Sequence, residues 1–366
     1  MVHAGGSNKT VKVGLVGCGY WGSKHLRVLN EIPNCEVTAL CDSREDNVAK
    51  QPRAFLPPLI TADYDEFLSA NIDAVVIATP ARTHYPLVLE ALRRDKHVLT
   101  EKPFTTSTTE ALDLIMVAEQ RGLISMVGHT YVYHPAVQFL RNLVESKALG
   151  SLHYIHTARL NFGLLQPDVD VLWDLAPHDL SILLHILGEE PLAAGGRGAA
   201  RINPKLYEVA HVDLEFLNGL FAHIYVSWLE PVKVRRLTFV GSERTVVYDD
   251  VASGEMIRLY DKAIKVVERE DGDGELAPVY LQGDVTVPFL PNSEPLKSED
   301  AHFLECVRTG QRSNSDDREG LKVVRILETV QQSLYNGGYQ ELLTLEAQLA
   351  PFESVPMPAL HRKGGS

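Results

Sequence analysis

The chain has 366 residues, of which 45% are apolar and 23% charged, and its formal net charge is −13. Because this length exceeds what one ordinary hydrophobic core fills, two domains are expected. The negative charge is not offset by any block of Lys and Arg, which argues against a nucleic acid or an anionic membrane as partner, and no apolar run approaches the length of a membrane span.

The first 128 residues alternate short apolar runs with amphipathic segments. The predicted strands are Val11–Val16, Glu36–Cys41, Leu59–Ile60, Ala74–Ala78, His97–Thr100 and Ile124–Val127. The predicted helices are Tyr20–Asn30, Tyr64–Ser69, Tyr85–Arg94 and Thr108–Arg121. This alternation predicts an α/β domain over residues 1–128 with a doubly wound parallel sheet of the Rossmann type, whose ligands bind beyond the carboxyl ends of the strands.

A glycine-rich loop joins the first strand to the first helix, with the sequence Gly17-Cys18-Gly19-Tyr20-Trp21-Gly22. In this context Gly17 permits a tight turn, Gly19 lets a pyrophosphate approach the backbone, and Gly22 lets the helix pack closely on the strand. The helix start at Tyr20 and Trp21 then offers unpaired N–H groups to the phosphates. The loop therefore predicts a bound dinucleotide.

Asp42 follows the second predicted strand, about 20 residues after Gly22, at the spacing where a carboxylate binds the ribose hydroxyls. Such a carboxylate repels a 2′-phosphate, so NAD is the predicted cofactor. Arg44 lies close enough to relieve the repulsion, which leaves NADP open. The other interpretation of Asp42 is a simple turn former.

The pattern changes after Gly128, and residues 129–340 are predicted to form a second domain, with residues 341–366 as a C-terminal tail. The predicted helices are Pro135–Ser146, Ala176–Leu187, Ser298–Thr309 and Arg318–Tyr335. The predicted strands are Ser151–Phe162, Val209–Leu217, Leu220–Leu229, Leu237–Val240, Thr245–Tyr248 and Met256–Tyr260, and Glu268–Ala277 is expected to be a loop.

Asn218-Gly219 predicts a two-residue type I′ hairpin turn that pairs Leu217 with Leu220. One face then carries Val212, Leu214 and Phe216 beside Tyr225, His223 and Phe221, and the other carries His211, Asp213 and Glu215 opposite Val226, Ile224 and Ala222. Since both faces of this pairing hold apolar residues, one is expected to meet a second subunit. A homodimer or homotetramer through the C-terminal sheet is therefore predicted.

The four cysteines have neither zinc-site nor redox-pair spacing; they are Cys18, Cys35, Cys41 and Cys306. No metal is predicted, and a reducing compartment fits. The segment Met1–Thr10 lacks the apolar core of a signal peptide. These features predict a cytoplasmic protein.

Three further segments stand where chemistry is expected: Ala78-Thr79-Pro80 with His84, Glu101-Lys102-Pro103, and Asp174-Leu175-Ala176-Pro177-His178-Asp179. The first two follow strand ends, which places Thr79, Pro80, His84, Glu101 and Lys102 beside the cofactor.

Together with the glycine loop and Lys96-His97-Val98, these segments resemble the glucose–fructose oxidoreductase, inositol dehydrogenase and rhizopine catabolism (Gfo/Idh/MocA) family of NAD(P)-dependent oxidoreductases. The resemblance runs from about Lys12 to Gly188 and more loosely to Tyr335. It implies a Rossmann domain followed by an α+β domain with a large, open, mostly antiparallel sheet. It also implies that Lys102, Asp174 and His178 serve the sugar hydroxyl that is oxidised.

The chemistry of these residue types agrees with that role. Oxidising an alcohol requires a group that takes the hydroxyl proton, and a histidine with a pKa of about 6.5 suits this. A lysine at the same oxygen stabilises developing alkoxide charge. Asp174 and His178 share a helix face at a separation of four residues, so the carboxylate is expected to orient the imidazole or the substrate.

Other interpretations stay open for each of these residues. Lys102 fits a solvated loop lysine, Asp174 fits the N-cap of its helix, and His178 fits a buried core histidine. Pro177 disfavours helical geometry at Ala176.

Three residues of the second domain are candidate substrate contacts. Arg159 and Asn161 share one face of a predicted strand, and Tyr131 lies near the domain junction. Arg159 fits either the binding of an anionic group or a solvated sheet edge.

The run Val171–Leu180 resembles a branch of the family that acts on nucleotide-linked sugars. This resemblance implies oxidation of the 3-hydroxyl of a UDP-linked N-acetylhexosamine or its uronate. A free-sugar or inositol dehydrogenase, an NADP-dependent ketosugar reductase and a non-catalytic nucleotide-sensing regulator remain alternatives.

Overall fold

The computed structural model describes residues 9–163, 165, 169–268, 276–338 and 341–343. The strands of the N-terminal half are β1 (Val11–Val16), β2 (Cys35–Cys41), β3 (Leu59–Thr61), β4 (Ala74–Ile77), β5 (His97–Glu101) and β6 (Ser125–Gly128). Its helices are α1 (Tyr20–Glu31), α2 (Glu45–Ala49), α3 (Tyr64–Leu68), α4 (His84–Arg93) and α5 (Thr108–Arg121).

The six strands form one parallel sheet in the order β3-β2-β1-β4-β5-β6. All four residues of β4 and all four of β6 are buried, as expected for a parallel sheet that helices cover on both faces. The strand order reverses between β1 and β4, and ligands of such sheets bind at that switch point. The predicted doubly wound fold is confirmed.

The C-terminal half contains the helices α6 (Pro135–Glu145), α7 (Val171–Leu187), α8 (Pro295–Thr309) and α9 (Asp317–Tyr335). Its strands are β7 (Leu152–Phe162), β8 (Ala193–Ala199), β9 (Val209–Glu215), β10 (Phe221–Ser227), β11 (Leu229–Gly241), β12 (Thr245–Asp249), β13 (Ile257–Glu268), β14 (Leu276–Thr286) and β15 (Glu341–Leu342).

These strands form a second sheet in the order β14-β13-β12-β11-β7-β10-β9-β8-β15. Only the β7–β10 pair is parallel among the described strand pairs of this sheet. The predicted large, mostly antiparallel sheet is confirmed. One face packs on α6, α7 and α9 through an apolar core.

The last two helices hold the halves of the protein together. Leu296, Phe303 and Leu304 of α8 lie in the same apolar cluster as Leu26 and Leu29 of α1. In α9, Val324 packs in the cluster under β5 and α5, while its neighbour Val323 packs in the core of the second sheet. Helices late in the chain therefore return to the Rossmann sheet, and this return positions the site described below.

The hairpin register differs from the prediction by one residue. The loop has three residues, 217–219, because Phe216 N–H donates to the Leu220 carbonyl and the ladder pairs Ala222 with Leu214 and Ile224 with Val212. A slip of one residue exchanges the faces of one strand.

Consequently one face of the hairpin is uniformly apolar and buried, and the other is largely polar. The buried residues are Val212, Leu214, Ala222 and Ile224. His211, Asp213, His223 and Tyr225 share the other face, where His223 Nδ1 lies 2.7 Å from an Asp213 oxygen. The predicted pairing, in which both faces of the hairpin hold apolar residues, is therefore wrong, and the homo-oligomer stays a prediction.

Several boundaries also differ. Helix α7 begins at Val171 instead of Ala176, and its N-cap is Asp170, whose side chain accepts from Trp173 N–H. Pro177 lies within this helix, so Ala176 is helical despite preceding a proline.

Strands β8 and β14 were not predicted, and β13 and β14 include Glu268 and Leu276–Ala277 of the expected loop. The rest of that loop lies outside the described residues. Residues 344–366 of the expected tail also lie outside the described residues. The first two residues of that tail, Glu341 and Leu342, form β15 and pair with β8.

Candidate active site

The glycine loop has the geometry that a dinucleotide requires. Gly17 has a φ of +84°, and a Cβ there would lie 2.6 Å from the Ala78 carbonyl oxygen. A Cβ on Gly22 would lie 1.8 Å from the Gly17 carbonyl oxygen, so the start of α1 packs directly on the turn. A Cβ on Gly19 would meet nothing within 4 Å. The loop therefore presents an open bed at Gly19 beside a helix N-terminus that has no side-chain cap, and this combination fits a pyrophosphate.

Two aromatic side chains flank this bed. Tyr20 is 73% exposed and Trp21 is 38% exposed, and their rings meet edge to face. The ammonium group of Lys24 lies 4.2 Å from the centre of the Tyr20 ring and 4.7 Å from that of Trp21.

Asp42 lies at the carboxyl end of β2, against the glycine loop. One carboxylate oxygen accepts from the Cys18 N–H at 2.6 Å, and the other accepts from the Arg44 N–H at 2.8 Å. The Asn47 amide donates to both oxygens. These bonds fix the carboxylate where a ribose is expected.

The ends of β4 and β5 form the walls of a cleft with a volume of 360 Å³. Its lining includes Trp21, Thr79, Pro80, Glu101, Lys102 and, from α7, Trp173 and Asp174. His84 is completely buried beneath the cleft, with Nδ1 2.7 Å from the Pro103 carbonyl and Nε2 2.9 Å from the Thr79 carbonyl. His84 therefore holds the two loops together, and its direct contact with a cofactor stays a prediction.

Lys102 and Asp174 bring the two halves of the protein into direct contact. The Lys102 ammonium group donates to the Asp174 carbonyl at 2.7 Å and to its carboxylate at 3.2 Å. The other carboxylate oxygen accepts from the indole N–H of Trp228 at 3.1 Å. Asp174 therefore orients Lys102. Its expected orientation of the His178 imidazole or of the substrate stays a prediction. Since an ammonium group has three donors, one remains for a substrate oxygen.

His178 lies one turn further along α7, next to Tyr131. The imidazole and the Tyr131 ring meet edge to face, with their centres 5.3 Å apart. Burial, together with the positive charges of Lys102, Arg159 and Arg235, lowers the pKa of His178 well below its ordinary value. The ring is therefore neutral at physiological pH and has a lone pair that can accept a proton.

The guanidinium group of Arg159 is engaged within the protein. It donates to both carboxylate oxygens of Asp179, at 2.9 and 3.2 Å, and it lies 4.6 Å from the centre of the Tyr131 ring. Arg159 and Asp179 are 4% and 0% exposed, respectively. Arg159 is thus a buried ion-pair residue and not a solvated edge residue. It supports Tyr131 beside His178.

Tyr131 is tied to the open sheet from its hydroxyl end. Its hydroxyl accepts from Arg235 at 2.8 Å and donates to Asp250 at 3.2 Å. Asn161, two residues beyond Arg159 on β7, has a buried side-chain oxygen without a partner among the described residues.

Several residues of the site were missed from the sequence. Trp228, Arg235 and Asp250 act through contacts with residues that are distant in the chain, so no local pattern marks them. Asp179 lies in the segment singled out with Asp174 and His178, but its pairing with Arg159 was not predicted. Among these missed residues, Asn47 on α2 lies near its partner in the chain, five residues after Asp42.

Among the described residues, no helix is long and apolar enough to cross a membrane.

Two family models match the chain. Residues 11–129 match the oxidoreductase family with an NAD-binding Rossmann fold, and residues 137–247 match the GFO/IDH/MocA C-terminal domain. The chain is 31% identical over 243 residues to a UDP-N-acetylglucosamine 3-dehydrogenase of Acidithiobacillus ferrooxidans. The aligned region covers 65% of this chain and 74% of the relative.

Other relatives carry different names. An NADP(+)-linked scyllo-inositol 2-dehydrogenase of Bacillus subtilis is 23% identical over 348 residues, covering 88% of this chain and 94% of the relative. Among solved structures, a putative oxidoreductase from Magnetospirillum magnetotacticum superposes with a TM-score of 0.75 at 29% identity, covering 88% of this chain and 100% of that one.

Proposed function

The chain belongs to the Gfo/Idh/MocA family of NAD-binding oxidoreductases, and we propose that it oxidises a secondary hydroxyl group of a sugar with NAD as the hydride acceptor. One observation carries this proposal. Lys102, at the end of β5, contacts Asp174, one turn before His178 on α7, at a cleft that Trp21 of the glycine loop also lines. The oxygen-binding cation and a residue of the nucleotide loop thus line one cleft, and the proton acceptor lies one helical turn from the aspartate that holds the cation.

The mechanism assigns one task to each residue. When NAD is bound, it supplies the site that receives the hydride from the carbinol carbon. The neutral imidazole ring of His178 accepts the hydroxyl proton. Lys102 directs its remaining N–H donor at the same oxygen and stabilises the negative charge that develops there. Asp174 fixes the lysine, and Trp228 fixes Asp174.

The relatives support the proposed substrate class. The UDP-N-acetylglucosamine 3-dehydrogenase supports a UDP-linked N-acetylhexosamine or its uronate, oxidised at the 3-hydroxyl. Arg159 adds nothing to this choice because Asp179 neutralises its charge. The similarity to the inositol dehydrogenase supports the alternative assignment, a cyclitol as substrate and NADP as cofactor.

A substrate panel tests the proposal directly. Purified protein and NAD are mixed with UDP-linked sugars, free hexoses and inositols, and the absorbance of the reduced nicotinamide is followed. We expect turnover with a UDP-linked N-acetylhexosamine. Turnover confined to inositols would replace the substrate, and binding of NAD without turnover on any sugar would favour a nucleotide-sensing regulator.

Lys102→Ala tests the catalytic assignment. The variant is expected to lose most turnover while its affinity for NAD is retained, because Lys102 contacts the reacting oxygen and not the phosphates. Lys147→Ala, at an exposed position, is the matched control. A Lys102→Ala enzyme with normal turnover would remove Lys102 from the mechanism.

The proposed enzyme is a cytoplasmic homo-oligomer that associates through its C-terminal sheet. This association remains a prediction, and light scattering at micromolar concentration tests it. A monomeric mass would contradict it.

A further inference from the structure

A row of buried ionisable groups lies behind Lys102. His25 on α1 stands between two carboxylates: its Nδ1 is 2.9 Å from Asp300 on α8, and its Nε2 is 3.2 Å from Glu101 at the end of β5. His25 and Asp300 are 0% exposed and Glu101 is 7% exposed. The three residues come from separate parts of the chain and meet only in the folded protein.

The charges of this row partly compensate one another within the fold. Burial opposes a charged imidazole, but Asp300 and Glu101 outweigh burial and raise the pKa of His25 well above its ordinary value. His25 therefore carries a proton and a positive charge between two acidic groups. Burying such groups costs several kcal/mol each unless they are paired, so removing one member leaves the others without compensation.

The row continues to the backbone of Lys102. The second carboxylate oxygen of Glu101 accepts from the Lys102 N–H at 3.2 Å. On the other side, Gly128 of β6 lies so close that a Cβ there would be 3.2 Å from the Glu101 Cα. The Glu101 side chain is thus held at both oxygens, and its backbone is held by the neighbouring strand.

We propose that His25 and Asp300 are positioning residues for Lys102: through Glu101 they fix the backbone from which the lysine side chain reaches Asp174. This inference rests on the proposed function, since it assumes that the placement of Lys102 limits the reaction. His25 also lies on α1, whose start forms the phosphate bed. Helix α1 therefore carries the phosphate bed at its start and contacts Lys102 indirectly, through His25 and Glu101. Asp300 of α8 contacts the same histidine.

The test uses Asp300→Asn, His25→Gln and the double variant in the full-length protein. Glu305→Gln is the matched control, since Glu305 lies on the same helix but pairs at the surface with Arg308. Steady-state kinetics with the sugar found by the panel are expected to show kcat lowered on the order of 10²-fold, the effect of a reacting group misplaced by about 1 Å. The dissociation constant of NAD is expected to stay within about threefold of wild type, well under one factor of ten, because His25 lies more than one turn beyond the phosphate bed and its ring contacts Asp300 and Glu101 rather than the glycine loop.

A second readout needs no substrate. Acetylation of Lys102 by acetic anhydride, measured by mass spectrometry against the exposed Lys147, reports how firmly the ammonium group is held by Asp174. We expect Lys102 to react slowly in the wild type and faster in both single variants. If the row acts as one unit, the acetylation rate of Lys102 in the double variant will be no higher than in the more affected single variant.

The outcomes separate the two proposals. Variants that melt earlier but keep wild-type kcat and wild-type Lys102 labelling would show a purely structural role and overturn the inference. If the wild type oxidises no sugar, the proposed function fails, and the labelling rates alone decide whether His25 and Asp300 position Lys102. Should Asp300→Asn not fold, His25→Gln carries the same test from the other end of the contact.

Discussion

Substituting Gly19 and Gly22 by alanine separates cofactor binding from folding within a single loop. A Cβ on Gly19 meets no atom within 4 Å, and its φ is −72°, so Gly19→Ala is expected to fold as the wild type does. A Cβ on Gly22 lies 1.8 Å from the Gly17 carbonyl oxygen. Gly22→Ala must therefore move the backbone, and overpacking of this kind costs about 1–3 kcal/mol of unfolding free energy.

The loss of affinity in Gly19→Ala follows from the site. The added methyl group occupies the bed in which the pyrophosphate approaches the backbone. Two weakened N–H bonds to a charged group amount to about 3 kcal/mol at ~1.5 kcal/mol each. Since 1.4 kcal/mol corresponds to a factor of about ten, the dissociation constant of NAD should rise about 100-fold.

Isothermal titration with NAD and thermal unfolding of the NAD-free protein measure both quantities. We expect weak binding with normal stability for Gly19→Ala, and lowered stability for Gly22→Ala. Suppose that folded Gly19→Ala has a dissociation constant for NAD within about threefold of the wild-type value, well under one factor of ten. The pyrophosphate then does not lie on this loop, and the predicted loss of affinity is refuted.

Three other predictions follow from the site. The ratio of kcat/KM for NAD to that for NADP should exceed one and should fall in Asp42→Ala, because the carboxylate that binds the ribose hydroxyls repels a 2′-phosphate; a wild type that prefers NADP would contradict this. The acid limb of kcat/KM for the sugar should lie below pH 6.5, since burial and the neighbouring cations lower the pKa of His178 and the neutral base is lost only as the pH falls through that lowered value. A limb above pH 6.5 would mean that another group is titrating. Asp179→Asn should lower the free energy of unfolding by about 3–5 kcal/mol, because it leaves the buried guanidinium of Arg159 unpaired. Glu145→Gln, at an exposed ion pair, should change the free energy of unfolding by less than about 1 kcal/mol. Urea denaturation measures both values, and equal effects would show that the buried pair contributes no more than the exposed one.

The N-terminal half was largely predictable because its signals are local. Strand length, helical periodicity and the three glycines each act over a few residues, and the structure shows the parallel sheet and the Gly17, Gly19 and Gly22 geometries that they predict. The Lys102 and Asp174 segments were also found from their local patterns. Trp228, which donates to the Asp174 carboxylate, was not.

The hairpin shows why a local rule fails. Asn218 and Gly219 both have positive φ, as the predicted turn requires, but Leu217 joins the loop as a third residue. The register is decided elsewhere, because β10 pairs with β7 and its apolar side faces the helices. A turn of two or three residues satisfies the local sequence, and only the packing of one continuous apolar face selects between them.

The amino-acid sequence by itself determined the doubly wound sheet and the dinucleotide loop, since each depends on neighbours in the chain, and the family resemblance of its motifs supplied the candidate acid–base residues. The tertiary structure alone decided which groups these residues meet: Trp228 at Asp174, Asp179 at Arg159, and Asp300 at His25, the last pair 275 residues apart. Pairing of buried charges depends on distance in space, and that distance exists only once the late helices have packed back onto the first sheet.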